Sequence, residues 1–171
     1  MEKGFRPATY KVRQAIFSML VSKGVEFDGC RAIDLYAGTG SLGFECLSRG
    51  ASRVWFVEKD KNAVLYLKKN LELFGVDAKR YHIVAKDVTN VLKKNPPYMF
   101  HLCFIDPPYR KGSVIPSLKK IVQNKWVIPN GFIVAEVERE FVFDKDIDGL
   151  ELLINKNYGQ TRVLIWVVTT K

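Results

Sequence analysis

The stretch that decides the fold is Arg31-Ala32-Ile33-Asp34-Leu35-Tyr36-Ala37-Gly38-Thr39-Gly40-Ser41-Leu42-Gly43. Its first five residues have the length and apolar content of a buried strand, and helical periodicity follows from Leu42 to Arg49. Between them, Gly38 and Gly40 let the backbone turn tightly and approach a ligand closely. A strand, a glycine-rich turn and a helix in this order are typical of an α/β protein with a parallel sheet.

Strand and helix patterns alternate along most of the chain. The patterns predict helices at 7–22, 42–49, 61–74, 88–94 and 114–124, and strands at 31–35, 53–57, 81–85, 99–105, 131–137, 150–155 and 162–169. This alternation predicts a parallel sheet with helices on both faces. The last two strands have no helix between them and predict an antiparallel hairpin around residues 157–159. We therefore expect one α/β domain over residues 1–171, with an N-terminal helical segment at 1–22 and a mostly parallel seven-stranded core at 30–171.

Composition limits the classes of protein that are possible. The chain has 171 residues, 47% of them hydrophobic, which is enough for one domain with a proper core. No stretch approaches the roughly 18 apolar residues of a membrane helix, and residues 1–7 lack the apolar core of a signal peptide. We therefore expect no membrane partner.

Cysteine and histidine placement predicts a reducing compartment and no metal site. Cys30, Cys46 and Cys103 are odd in number and widely spaced, and the last two fall in apolar segments. We expect these two to be buried free thiols, as in a cytoplasmic protein. His82 and His101 have no ligand-like spacing to each other or to a cysteine.

The chain carries a large excess of positive charge. It has 27 Lys and Arg residues against 18 Asp and Glu residues, and a net charge of +9. This imbalance favours an anionic partner such as a nucleic acid over a neutral one, although a generally basic surface would give the same number.

Acidic side chains follow the first three strands at the edge of the sheet where ligands bind. Asp34 precedes the glycine turn, where a carboxylate would repel a pyrophosphate but would suit an ammonium or sulfonium group. This favours S-adenosylmethionine over a dinucleotide. Glu58, twenty residues after Gly38, is placed to accept hydrogen bonds from ribose hydroxyls, or is a solvated acid. Asp87 would accept from an adenine amino group or cap the following helix.

A stiff acidic corner ends the fourth strand, at Asp106-Pro107-Pro108-Tyr109. Neither proline can donate a hydrogen bond to the sheet, so the strand has to stop there. Taken alone, the four residues would be an ordinary turn. Beside the other acids, a carboxylate and an aromatic ring on a rigid loop are suited to holding a nucleobase.

These motifs resemble those of a known enzyme class. Residues 34–43, Glu58, Asp87 and residues 106–109 follow the order of the Rossmann-like, class I S-adenosylmethionine-dependent methyltransferases. The Asp-Pro-Pro-Tyr corner is similar to the branch that methylates amino groups of nucleobases. A second segment resembles the opening of the bacterial 16S ribosomal RNA guanine-N2 methyltransferases: Arg6-Pro7-Ala8-Thr9-Tyr10-Lys11-Val12-Arg13-Gln14-Ala15-Ile16-Phe17. Residues 47–51 and 158–161 are also similar to that family.

The resemblance implies a Rossmann-like methyltransferase fold, an activity and a set of site residues. The implied reaction moves a methyl group from S-adenosyl-L-methionine to N2 of one defined guanine in 16S ribosomal RNA and leaves S-adenosyl-L-homocysteine. The catalytic residues would be Asp106, Pro107, Pro108 and Tyr109. The cofactor would be held by Phe17, Asp34, Tyr36, Gly38, Thr39, Gly40, Glu58, Lys59, Asp87 and Val88. The RNA would contact Arg6, Thr9, Arg13, Arg110 and Lys111. The expected partner is 16S ribosomal RNA or a small-subunit assembly particle, and the expected state is a monomer.

The chain departs from the family pattern in two respects. It has Ala8 and Gln14 where the family more often has Thr and Glu. The family usually carries a short basic β-hairpin before this segment, whereas five residues precede Arg6 here. We expect that part of the RNA-docking surface to be missing, trimmed or supplied differently.

Two alternatives remain open from the sequence. The same corner serves enzymes that methylate the amino group of adenine in DNA or RNA, although no large inserted DNA-recognition domain is visible. The chain would otherwise be a non-catalytic RNA-binding protein on the same scaffold. The intact set of Asp34, Glu58 and Asp106 argues against that loss of activity.

Overall fold

Helices and strands alternate until three final strands that follow one another without a helix. The computed structural model describes residues 10–108, 112–143 and 147–170. The elements, in chain order, are α1 (Tyr10–Ser22), β1 (Arg31–Leu35), α2 (Ser41–Ser48), β2 (Arg53–Val57), α3 (Lys61–Leu73), a 3-10 turn (Ala78–Arg80), β3 (Tyr81–Val84), α4 (Val88–Leu92), β4 (Phe100–Ile105), α5 (Val114–Gln123), β5 (Val127–Glu138), β6 (Leu150–Tyr158) and β7 (Thr161–Val168). The predicted start of α1 at residue 7 lies outside the described residues.

The seven strands form one sheet in the order β3-β2-β1-β4-β5-β7-β6. Strands β1 to β5 are parallel, and β7 runs antiparallel between β5 and β6. This confirms the predicted mostly parallel, seven-stranded sheet with an antiparallel C-terminal hairpin. Because β1 and β4 are neighbours, the loops that follow them meet at the centre of the carboxyl edge.

Each face of the sheet is covered by a separate hydrophobic cluster. Successive residues of a strand point to opposite faces, so Ala32 packs on one side and Ile33 on the other. The first cluster contains buried residues of α1, α2 and α3, and the second contains those of α4 and α5. The predicted covering of both faces is thereby confirmed.

Two strand boundaries differ from the predicted ones by more than one residue. Strand β5 begins at Val127 rather than at residue 131, because the chain bulges between the pairs Phe100–Val127 and Leu102–Phe132. The bulge contains Pro129, which cannot donate a hydrogen bond to the sheet. Because a proline argues against a strand, the first part of β5 was not predicted from the sequence. Strand β6 continues to Tyr158, since pairing with β7 extends to a two-residue turn at 159–160.

All three cysteines are buried free thiols, as predicted for Cys46 and Cys103. Within the described residues, no helix combines the length and the apolar content needed to cross a membrane. The same residues hold no group of three or more His, Cys, Asp or Glu side chains placed to bind a metal ion.

Close packing between α2 and β2 requires a glycine at position 43. A Cβ atom at Gly43 would lie 2.2 Å from Cε1 of Phe56, whose side chain is fully buried. This contact is far shorter than van der Waals contact, so either the helix or the ring would have to move.

We expect Gly43→Ala to destabilise the protein by about 1–3 kcal/mol, the usual effect of overpacking a core. Chemical denaturation followed by circular dichroism measures this change. The control is the double variant with Phe56→Leu, which shortens the obstructing side chain. The double variant should be less destabilised than the sum of the single variants, and strict additivity would contradict the proposed clash.

Candidate functional site

The glycine turn between β1 and α2 is held by hydrogen bonds to β2 and the residue after it. The backbone N–H of Ala37 donates to the carbonyl of Val57 (3.0 Å), and that of Gly38 donates to Oε2 of Glu58 (2.9 Å). Tyr36, Gly38 and Gly40 all have positive φ, at 62°, 54° and 88°. The left-handed turns are natural for the glycines and strained for Tyr36.

Asp34 lies beneath this turn rather than on its outer side. Its side chain is 2% exposed, and Oδ2 accepts a hydrogen bond of 3.0 Å from the N–H of Gly43 in the first turn of α2. Burial raises the pKa of Asp34 to about 8, against the smaller lowering effect of the Gly43 bond. Repulsion from Asp106 and Glu58 raises it further. Asp34 therefore ties the sheet to α2.

Glu58 connects two loops with one carboxylate. Its Oε2 accepts from Gly38, and its Oε1 accepts from the backbone N–H groups of Lys59 and Asp60, each at 2.8 Å. A carboxylate has about four lone-pair positions, so one remains for a ligand hydroxyl. The side chain is buried at the end of β2, where the sequence predicted a ribose-binding acid.

Asp87 caps α4 in this structure. Its Oδ1 accepts from the N–H of Thr89 (2.9 Å), and its Oδ2 pairs with Nζ of Lys59 (2.9 Å). The hydrogen bond from Lys59 is the main reason that the pKa of Asp87 is lowered, and it raises the pKa of Lys59 in turn. Val88, the first residue of α4, is buried in the core with its side chain against the second cluster.

The Asp-Pro-Pro corner stands next to the glycine turn. The N–H of Asp106 donates to the carbonyl of Leu35 (3.4 Å), which joins the ends of β4 and β1. Pro107 is buried and Pro108 is exposed. Burial raises the pKa of the Asp106 carboxyl to about 7. Tyr109, together with Arg110 and Lys111, lies outside the described residues.

Sequence reasoning missed a further acid at this edge. Glu136 follows Ala135, which pairs with Ile105, so it stands level with Asp106 on the adjacent strand. Its side chain is 4% exposed, and its pKa is raised to about 8 by burial and then by repulsion from Asp106 and Asp34. The available signal was a single acid inside the apolar run 132–137.

Of two residues expected to contact ligands, Phe17 lies in the core and Arg13 lies on α1. Phe17 is a core residue with no exposed surface, packed on Phe27 and Phe104 at ring-centroid distances of 5.3 and 5.7 Å. It supports the underside of β4 and presents no surface to a ligand. Arg13 is half-buried on α1 with Nε 3.8 Å from a carboxylate oxygen of Glu45. Arg6 and Thr9 lie outside the described residues.

The carboxyl edge of β1, β4 and β5 thus concentrates buried carboxyl groups, which a bound cation would favour in their ionised form. Burial is the main cause of their raised pKa values, and repulsion from neighbouring acids adds to it for Asp34 and Glu136. Such an edge favours a cationic ligand and disfavours a pyrophosphate. The residues present therefore fit S-adenosylmethionine, which carries a sulfonium and an ammonium group, better than a dinucleotide.

This sheet, with its glycine turn and acidic strand ends, defines a class I methyltransferase. The chain belongs to the family described as conserved hypothetical protein 95, whose model matches residues 1–167. Its similarity to the ribosomal RNA small subunit methyltransferases D identifies it as a methyltransferase of that type.

Three comparisons support this membership. A Bacillus subtilis protein provisionally named an rRNA methyltransferase is 36% identical over 171 residues, covering 94% of this chain and 86% of the relative. Ribosomal RNA small subunit methyltransferase D of Haemophilus influenzae is 33% identical over 140 residues, covering 81% and 70%. A solved Escherichia coli structure, provisionally named a methyltransferase, has a TM-score of 0.86 at 26% identity and covers 99% of this chain and 91% of its own.

The buried Asp34 predicts a pH-dependent stability. Its pKa in the folded protein is about 8 and its ordinary value is 3.8, so the protonated form favours folding. That stabilisation is complete below about pH 4 and is lost as the pH rises toward 8. Asp34→Asn keeps an acceptor for the N–H of Gly43, and because the amide does not ionise, the variant does not lose stability in this way as the pH rises.

We expect the stability of Asp34→Asn relative to wild type to increase by at least about 1 kcal/mol between pH 5 and pH 8. Urea unfolding of the cofactor-free proteins at both values measures the difference. Asp28→Asn, at an exposed position, is the matched control. If the difference in unfolding free energy between Asp34→Asn and wild type were the same at pH 5 and pH 8, Asp34 would not be a buried carboxyl with a raised pKa.

Proposed function

We propose that this protein transfers a methyl group from S-adenosyl-L-methionine to the exocyclic N2 amino group of a guanine in 16S ribosomal RNA. The observation that carries the proposal is the partly exposed, acidic Asp106 corner directly beside the Glu58-bound glycine turn. The Asp106 corner would hold the amino group, and the glycine turn would hold the methyl donor. The names of the relatives and the net charge of +9 support an RNA substrate.

The chemistry of the amino group explains the acidic corner. Its lone pair is delocalised into the purine ring, and the nitrogen is therefore a poor nucleophile. The Asp106 carboxylate and the Pro107 carbonyl would accept its two N–H bonds and draw the nitrogen toward tetrahedral geometry. Tyr109 would stack on the flipped base and fix its plane. The sulfonium supplies an already activated methyl, so positioning is the main task of the protein.

Asp106 does not have to be a strong base to accept the proton released in the reaction. The methylated nitrogen is a strongly acidic cation, and it loses a proton readily to a carboxylate already hydrogen-bonded to it. The raised pKa of Asp106, about 7, favours it as the temporary acceptor. Burial of the carboxyl group is the physical origin of this raised pKa.

Cofactor binding would use the remaining strand ends. Glu58 has a free acceptor position for a ribose hydroxyl, and Asp87 keeps acceptor capacity beyond its bonds to Thr89 and Lys59. The turn backbone of Tyr36, Gly38, Thr39 and Gly40 would approach the methionine part, with S-adenosyl-L-homocysteine as the product.

RNA contact and cellular context complete the proposal. Arg6, Thr9, Arg110 and Lys111 would contact phosphates, with Arg13 contributing from α1. The partner would be 16S ribosomal RNA or a small-subunit assembly particle, the enzyme a monomer and its location cytoplasmic. The single domain proposed over residues 1–171 would comprise the helical segment 1–22 and the core 30–171.

The decisive experiment maps methyl groups by mass spectrometry after incubation with undermethylated small-subunit particles, naked 16S ribosomal RNA and DNA. We expect N2-methylguanine at one position of the RNA. N6-methyladenine in any of the three substrates would identify the adenine alternative, and tight cofactor binding without methylation would contradict the proposed catalysis.

Asp106→Ala should reduce methyl transfer by about 100-fold or more, because both the acceptor and its positioning of the amino group are lost. Cofactor affinity should stay within about tenfold of wild type, since Asp106 contacts the base in this proposal. Initial rates and calorimetry measure the two quantities. Asp77→Ala, at an exposed aspartate before β3, is the matched control. Near-full activity in Asp106→Ala would contradict the catalytic role assigned to Asp106.

Glu58→Gln should raise the cofactor dissociation constant by about tenfold, the usual effect of weakening a hydrogen bond to a charged group. The amide preserves side-chain volume and one acceptor for the backbone. Calorimetry measures the constant, with Glu72→Gln on the exposed side of α3 as the control. An unchanged constant would remove Glu58 from the cofactor site.

A further inference from the structure

Strand β5 carries an acid at the site for which the proposed transfer step has no use. Glu136 is level with Asp106 on the neighbouring strand, and parallel strands lie about 4.8 Å apart. Its side chain points to the same face as Val134, two residues earlier, which packs under α1. The electrostatic effect of Asp106 on Glu136 is consistent with this proximity.

The carboxylate of Glu136 is buried without a full set of hydrogen bonds. The side chain is 4% exposed, and its Oε1 has no hydrogen-bond partner among the described residues. Buried polar atoms in native proteins are nearly always paired, so an exception at a ligand site indicates a position that the ligand fills. Its cross-strand neighbour on β7, Val163, has an apolar side chain and supplies no donor.

Positive charge near Glu136 comes from α1. The charge of Arg13 lowers the pKa of Glu136 and so offsets part of the repulsion from Asp106 and Asp34. The Nε of Arg13 is itself buried without a hydrogen bond and lies 3.8 Å from Glu45. Arg13 thus favours negative charge at Glu136 but does not hydrogen-bond to Oε1, which remains an unpaired acceptor.

We propose that Glu136 determines which base is methylated, by accepting the N1–H of guanine while Asp106 accepts from the adjacent N2 amino group. This inference rests on the proposed function and deepens it. Guanine carries donors on N1 and N2, two neighbouring atoms of one edge, and the two acids are neighbours on one edge of the sheet. A hydrogen bond from N1–H also favours the ionised form of Glu136.

Adenine presents a different edge to the same pair of acids. Its amino group would satisfy Asp106, but its N1 has a lone pair in place of the hydrogen. An ionised Glu136 would then face a lone pair and remain unpaired in a buried position. Sites built to hydrogen-bond a substrate donor reject analogues that lack it, because the buried protein group is left unsatisfied. The Asp106 corner alone provides no such distinction.

The test uses 2-aminopurine, which has the amino group of guanine and a lone pair at N1. Small-subunit particles are assembled from RNA that carries guanine or 2-aminopurine at the nucleotide located by methyl mapping. For the wild type, kcat/KM should favour guanine by on the order of 100-fold. Glu136→Gln, whose amide can also donate to a lone pair, should reduce this ratio by at least about tenfold.

The ratio is independent of the fraction of folded enzyme, so partial misfolding of a variant does not disturb it. Glu138→Gln, two residues further along β5, is the matched control and should keep the wild-type ratio. A ratio unchanged in Glu136→Gln, with guanine still methylated by wild type, would overturn this inference alone. Absence of guanine methylation by the wild-type enzyme would overturn the proposed function and this inference together.

Discussion

Hydrogen bonds to two buried carboxylates, one from the glycine turn and one from the first turn of α2, are the constraint on which the rest of the site depends. Gly43 donates to Asp34 at 3.0 Å, and Gly38 donates to Glu58 at 2.9 Å. Because each acid comes from a different strand, the turn is fixed to β1 and to the residue following β2. The end of β1 also positions Asp106, whose N–H donates a hydrogen bond to the last carbonyl of that strand. A change in either carboxylate would therefore move every group that faces the ligand.

The sequence was sufficient for the architecture because strand and helix patterns alternate with little ambiguity. The antiparallel end was also predictable, since no helix separates the last two strands. The placement of β7 between β5 and β6 could not be predicted, because the order of strands in a sheet produces no periodic pattern in the sequence. The early start of β5 was hidden by Pro129, which is tolerated there only because a bulge removes it from the hydrogen-bonding pattern.

For the site, motif spacing identified which strand ends carry the acids but not what each acid contacts. Asp34 was expected to face a cationic ligand, yet its oxygen binds a helix N–H below the turn. Phe17 was matched through a family motif, whereas its ring belongs to the core. Glu136 escaped notice because one acid within an apolar strand resembles an ordinary surface residue until the neighbouring strand is known. Such contacts arise from tertiary packing, which a linear pattern does not encode.

The position of β7 also bears on how the protein is made. Strand β5 presents an open, apolar edge until β7 pairs with it, and β6 is synthesised before β7 but can reach the sheet only through it. The sheet is thus incomplete until residues 161–168 have left the ribosome, and residues buried on β5 remain without their neighbour until then. A nascent chain of this protein passes through a stage at which an uncovered strand edge is available to other chains. Folding of the carboxyl-terminal hairpin therefore ends the period of greatest risk of aggregation.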